Sequence, residues 1–247
     1  MEPISTCTAA ERLIVSADFK ATSGQGKEWV REQVLTLADS LSGTGVYLKV
    51  NSALRACGYS LIQEIKDRGL LVFADLKLYD IGETLATDGA LLKEMRPELL
   101  TTVCSAGVAS LQALNAELPD TEVLGVTILT SLSETDTMSL YGCSVEEAVL
   151  RSAQIAADAG IGGLICSPKE VGLLRERFGT SLTINTPGIR PVWSMVANDD
   201  QNPDRVMTPA QAISTGADRI VIGRPILKDS DPRAAVLRTL EEIEAAL

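Results

Sequence analysis

Eight short, nearly unbroken apolar runs recur along the chain, with helically spaced segments between them. They are Leu13–Asp18, Val46–Val50, Leu70–Leu76, Leu99–Ser105, Glu122–Leu129, Gly162–Ser167, Leu182–Pro187 and Arg219–Gly223. Strands of a parallel sheet are covered on both faces, so they read as continuous apolar runs rather than as alternation. Amphipathic stretches such as Ser52–Arg68, Thr84–Met95, Val145–Ala159, Lys169–Phe178 and Pro209–Thr215 fall between them, and Pro232–Leu247 predicts a closing helix. Several end on a glycine (Gly69, Gly160, Gly179, Gly216), the residue that stops a helix most readily. Eight β-then-α units in 247 residues predict an α/β fold, a single TIM (β/α)8 barrel occupying residues 1–247 as one domain. A doubly wound open sheet is the competing architecture. Its G-x-G-x-x-G fingerprint after the first strand is missing, since Gly24-Gln25-Gly26 has no third glycine at the required spacing. One connection, Ile189 to Val206, is long and polar, as functional loops often are.

Histidine is absent, which excludes Ser-His-Asp and Cys-His catalysis, H-E-x-x-H zinc sites and a histidine general base. Proton chemistry must fall to Lys, Asp, Glu, Tyr or Cys. Twenty-two basic against 33 acidic residues leave a net charge of −11, which disfavours a nucleic-acid partner while allowing a local pocket for one small anion. The five cysteines are widely spaced and odd in number, so neither a disulfide framework nor a metal ribbon is expected. No run of about 18 apolar residues predicts a membrane span, and the first residues lack a signal-peptide pattern. The expected setting is cytoplasmic.

In a TIM barrel the chemistry lies at the carboxyl ends of the strands. Those ends carry Asp18, Lys49, Asp75, Lys77 with Asp80 beyond, Thr130-Ser131, Pro187-Gly188 with Arg190, and Gly223-Arg224. Asp75 and Lys77 are two apart and share a face if the strand is extended, and Lys49 ends the neighbouring strand. A structural ion-pair network is the plain alternative, but so many charges gathered at strand ends favour a functional site. Gly223 permits close backbone approach and Arg224 offers a bidentate fork, which together suit a phosphate. Lys20 reads as a solvated loop lysine, and Cys104 and Cys166 as small core residues rather than nucleophiles.

Together these segments resemble the orotidine 5′-monophosphate decarboxylase family from Asp18 to about Asp231. The resemblance rests on Asp75-Leu76-Lys77-x-x-Asp80, Lys49, Leu129-Thr130-Ser131, Thr186-Pro187-Gly188-Ile189-Arg190-Pro191, Met207-Thr208-Pro209 and Ile222-Gly223-Arg224-Pro225. Asp-x-Lys-x-x-Asp is shared with sugar-phosphate barrels of the same group; the last segments are more specific to the orotidylate branch. The resemblance implies decarboxylation of orotidine 5′-monophosphate to uridine 5′-monophosphate without metal or cofactor, by a homodimer with shared active sites. Lys49, Asp75, Lys77 and Asp80 match the family's charged tetrad, with Asp80 donated to the partner's site. Asp18 and Thr84 match ribose contacts, Ser131 a pyrimidine contact, and Gly223 and Arg224 phosphate contacts. Pro187 and Arg190 belong to the substrate-facing segment after the seventh strand, and Gln201 is the candidate bridge between phosphate and base.

The chain departs from the family pattern in three places. Gly82 stands where proline is common, Cys104 where histidine is common, and the Gln201–Arg205 segment is longer by about two residues, which weakens the transfer to Gln201. Three other readings stay open. A sugar-phosphate decarboxylase or lyase of the same group would need a metal site or another acid-base set. A Schiff-base role for Lys77 is opposed by its flanking carboxylates, which favour the ammonium form. An inactive nucleotide-binding protein would have no use for the full set of charges.

Overall fold

The structure, a computed structural model, describes residues 8–194 and 207–247. Eight strands close into a barrel in chain order: β1 (Leu13–Ser16), β2 (Tyr47–Val50), β3 (Leu71–Leu78), β4 (Leu99–Val103), β5 (Glu122–Val126), β6 (Gly163–Ile165), β7 (Thr183–Thr186) and β8 (Arg219–Ile222). Every neighbouring pair is parallel, and β8 closes on β1. The open-sheet alternative is thereby excluded.

The strand runs are apolar on both faces because they separate two cores. Leu13, Val15, Leu48, Val50, Val72 and Ala74 pack outward in the layer shared with the helices. Ile14, Tyr47, Phe73, Leu99, Leu124 and Val221 fill the barrel interior. Each fully buried Leu, Ile or Phe contributes about 1.5–3 kcal/mol of transfer free energy, so these layers dominate the stability of the fold.

The helices are α1 (Lys27–Leu41), α2 (Ser52–Cys57), α3 (Ser60–Lys66), α4 (Gly82–Lys93), α5 (Val108–Glu117), α6 (Glu134–Tyr141), α7 (Val145–Ala159), α8 (Val171–Phe178), α9 (Pro209–Thr215), α10 (Arg224–Leu227) and α11 (Pro232–Glu244). Their ends follow local chemistry. Ser133 with Asp136 and Thr208 with Gln211 form capping boxes at the starts of α6 and α9. The stretch 52–68, expected as one amphipathic segment, is two helices, because Gly58 between them adopts φ +87° and breaks the helical path. Lys169–Phe178 likewise resolves into a 3-10 turn, Pro168–Glu170, followed by α8. Most strands stop short of the expected runs at their carboxyl ends. Beyond Ser16 and Val126, for example, Ala17 and Thr127 each still bond the neighbouring strand, and the chain then lines the mouth of the barrel.

A polar plug occupies the amino end of the barrel. Arg219 donates to Glu122 Oε2 at 2.8 Å and to Asn185 Oδ1 at 3.1 Å, and lies 5.5 Å from the Tyr47 ring centroid. Thr183 donates to the other Glu122 oxygen at 2.5 Å. Gly163 makes room for this network, since a Cβ there would lie 1.9 Å from Thr183 Oγ1.

Candidate active site

Four charges alternate across the carboxyl ends of β1, β2 and β3. Lys49 Nζ lies 2.7 Å from Asp18 Oδ2 and 3.0 Å from Asp75 Oδ2, and Lys77 Nζ lies 2.6 Å from Asp75 Oδ1. The row runs from a half-exposed Asp18 through buried Lys49 and Asp75 to Lys77, whose side chain is 32% exposed. Such a cluster is tolerated in the interior because each buried charge has opposite neighbours. Burial alone would push the Asp75 carboxyl up, but the Lys49 and Lys77 ammonium groups outweigh it and bring it down to about 2. Burial would pull Lys49 down, yet Asp75 and Asp18 more than offset this and raise its pKa. The ion-pair partnership between Asp18 and Lys49 was not legible in the spacing. Ser16 also donates to Asp18 at 2.5 Å.

Lys77 is not on extended backbone. Between the Ala74–Leu100 and Leu78–Thr102 pairs, β3 advances four residues while β4 advances two. Within this bulge Lys77 takes φ +49°, one of two described non-glycine residues with positive φ. The side chains of Asp75 and Lys77 therefore do not share a face of an extended strand, contrary to what their spacing predicts. Asp75 and Lys77 meet because the bulge re-aims Lys77, a common use of bulges beside functional sites. Two threonines of β4 satisfy the displaced backbone. The Lys77 N–H donates to Thr101 Oγ1 at 2.9 Å, and Thr102 Oγ1 donates to the Leu78 carbonyl at 2.9 Å. Thr101 was missed by sequence reasoning, since a threonine inside an apolar strand reads as ordinary β-branched core.

The row forms one wall of a cavity of about 970 Å³, large enough for a small organic ligand. Asp18, Lys49, Asp75, Lys77, Pro187, Arg190, Gly223 and Arg224 line it, so eight of the twelve expected site residues converge. Lys20, expected to be solvated, is exposed at its rim. Gly223 approaches β1 closely, since a Cβ there would contact the Ser16 Cβ at 3.4 Å. Arg190 is buried, and its backbone N–H donates to Met207, tying together the two described ends of the long connection. Ser131 differs from expectation. It lines an adjoining cavity of about 880 Å³, whereas Thr130 lines both. The segment after β5 forms the partition and turns Ser131 to the far side. Glu170 also lines that second cavity, and burial pushes its carboxyl up to about 7 against the opposing hydrogen bond from the Ser167 N–H.

Asp80 and Thr84 are exposed and line neither cavity. Asp80 accepts from the Ile81 N–H at 2.7 Å, between exposed Tyr79 and Ile81. Gln201 lies outside the described residues. Cys104 and Cys166 are buried in the helix-facing core, and burial pushes the Cys104 thiol up to about 12, consistent with packing rather than nucleophilic roles. Among the described residues no group of three or more Cys, Asp or Glu is placed to hold a metal ion.

A closed parallel barrel with a charged row and arginines around one mouth defines a barrel enzyme acting on a small anionic substrate at its carboxyl face. The profile of the Orotidine 5′-phosphate decarboxylase / HUMPS family matches residues 11–239, and the chain belongs to that family. It is 36% identical over 238 residues to an orotidine 5′-phosphate decarboxylase of Caulobacter sp. (strain K31), covering 96% of this chain and 98% of the relative. It is 41% identical over 199 residues to that of Desulfosudis oleivorans, covering 77% and 79%. The crystal structure of orotidine 5′-phosphate decarboxylase from Lactobacillus acidophilus superposes with a TM-score of 0.77 at 28% identity, covering 94% of this chain and 99% of that one.

Proposed function

We propose that the chain decarboxylates orotidine 5′-monophosphate to uridine 5′-monophosphate and CO2, the last step of de novo pyrimidine synthesis. The observation that carries this reading is the Lys49–Asp75–Lys77 row at the barrel mouth, in a chain whose curated relatives at 36–41% identity bear that enzyme's name. The family's name covers a second, sugar-phosphate activity. The named relatives favour the first.

The chemistry needs a fixed cation beside C6 of the pyrimidine. When the C6–carboxylate bond breaks, CO2 leaves without the bonding pair, and the pair stays in an in-plane orbital at C6 that the ring cannot delocalise. A preorganised ammonium stabilises this developing charge more than water could, because it needs no reorganisation during the reaction. Lys77 takes that role, then donates a proton to C6 and regains one from solvent. Asp75 and Lys49 hold Lys77 in place, each fixed by its own partners. Gly223 and Arg224 take the phosphate, and Pro187, Arg190 and Asp18 complete the walls around base and ribose. Ser131 reaches the pyrimidine only if the partition after β5 shifts. Gln201, from the segment outside the described residues, joins phosphate and base.

Asp80 and Thr84 serve the partner subunit in a homodimer. Exposed Tyr79 and Ile81, 63% and 67% accessible on either side of Asp80, supply apolar surface for that contact. The four described cysteines are free thiols, which suits a reducing cytoplasm, and no helix among the described residues is long and apolar enough to cross a membrane.

The test is to add orotidine 5′-monophosphate to EDTA-treated protein and follow the loss of the orotate chromophore. Turnover is expected without added metal. Lys77→Ala should lower it roughly 10,000-fold or more while uridine 5′-monophosphate still binds. An active Lys77→Ala variant would remove Lys77 from the mechanism, and an inactive native chain would refute the reading itself.

A further inference from the structure

We infer that Thr101 is a positioning residue for the Asp75–Lys77 pair, its single hydroxyl fixing both the carboxylate and the backbone of the bulge. The inference rests on the decarboxylase reading above. Thr101 is fully buried on β4, beside the bulge of β3. Its Oγ1 donates to Asp75 Oδ1 at 2.9 Å and accepts from the Lys77 N–H at 2.9 Å. A hydroxyl has one proton and two lone pairs, so these two bonds fit together without conflict. Since the Lys77 N–H must donate to the oxygen, the hydroxyl proton is left to point at Asp75.

Both bonds serve the geometry of the reacting cation. The bulge removes the Lys77 N–H from the β3–β4 ladder, and a buried N–H without an acceptor is costly. Thr101 supplies that acceptor from its side chain. Lys77 also sits at φ +49°, where a side chain with a Cβ is strained. A strained residue persists only where its surroundings over-determine it. On the carboxylate, Thr101 and the Lys77 ammonium share Oδ1, while Lys49 takes Oδ2 with Asn51 at the edge of hydrogen-bond range, 3.5 Å. Thr101 is the uncharged member of this set that also contacts the Lys77 backbone. It therefore couples where Asp75 points to where Lys77 starts. Valine has nearly the same shape and would fill the same space, so packing alone does not require the hydroxyl.

The experiment compares Thr101→Val and Thr101→Ser with the native chain, measuring kcat, KM and thermal midpoint. Thr101→Val should lower kcat about 10–100-fold, the scale of a small misplacement of a catalytic group, with KM within about threefold. Thr101→Ser keeps the hydroxyl, loses one methyl, and should hold kcat within about threefold of native. Three results overturn the inference: native kcat in folded Thr101→Val; a tenfold loss in Thr101→Ser, which points to the methyl; or a rise in KM that accounts for the whole loss. If Thr101→Val does not fold, Thr101→Ala replaces it, and native kcat in folded Thr101→Ala overturns the inference. A native chain without turnover overturns the functional reading and this inference together, whereas an active native chain with an unimpaired Thr101→Val overturns only this inference.

Discussion

Replacing Arg219 with methionine should destabilise the barrel and leave its chemistry intact. Arg219 and Glu122 are paired at 2.8 Å, with side chains only 8% and 12% exposed, at the end of the barrel opposite the charged row. Methionine roughly preserves the volume of the stem and removes the guanidinium. Glu122 keeps the Thr183 hydroxyl, but its other oxygen loses its cation, and Asn185 Oδ1 loses its donor at 3.1 Å. Breaking one side of a buried pair costs about 3–5 kcal/mol. At roughly 2–4 °C per kcal/mol for a domain of this size, the thermal midpoint should fall by about 6–20 °C. The Arg219→Met, Glu122→Gln double variant should recover part of that loss, because no buried charge is left without a counter-ion. Calorimetry gives the midpoint, and initial rates measured well below the transition give kcat. A midpoint within about 2 °C of native would show that the pair does not stabilise the amino end of the barrel. A loss of kcat of about tenfold or more in fully folded protein would break the proposed separation between a stabilising amino end and a reactive carboxyl end.

Two further outcomes test the substrate assignments. Arg224→Ala should weaken uridine 5′-monophosphate binding roughly 10–150-fold, the scale of a hydrogen bond to a charged group, and leave uridine binding nearly unchanged; equal losses for both, by titration calorimetry, would remove Arg224 from the phosphate site. If Asp80 completes the partner's site, Lys77→Ala and Asp80→Ala variants should each be inactive. Their equimolar mixture should recover about a quarter of native activity, because half the dimers are hybrids with one intact site each. Full activity in Asp80→Ala, or no recovery from mixed folded dimers, would refute a shared site.

The eight strand runs were legible because a strand covered on both faces needs no tertiary information to show itself. Ile14 and Leu13 face different cores, yet both must be apolar. Helix stops at Gly160 and Gly216 were equally local, and both glycines adopt the left-handed conformation that ends a helix. The break at Gly58 was missed because the apolar spacing continues on both sides of it. The charged residues at the strand ends were legible as residue types, since lysine and aspartate at the end of an apolar run are conspicuous. Lys49, Asp75 and Lys77 could therefore be named before any geometry was known. Thr101 could not, because its hydroxyl is noticeable only once its two partners are in place.

The order of elements, the barrel class and the charges available at its mouth are written in the chain. These depend on residues near one another in the chain, where periodicity and backbone preference act. Tertiary structure alone decided which charges meet. Asp18 and Lys49 are 31 residues apart, and Arg219 and Glu122 are 97 apart. No local pattern distinguishes such pairs from solvated side chains, and only barrel closure sets their distance. The bulge at Lys77 is likewise a tertiary decision. Its φ of +49° runs against the local preference of a lysine, and the hydrogen bonds from β4 hold it there.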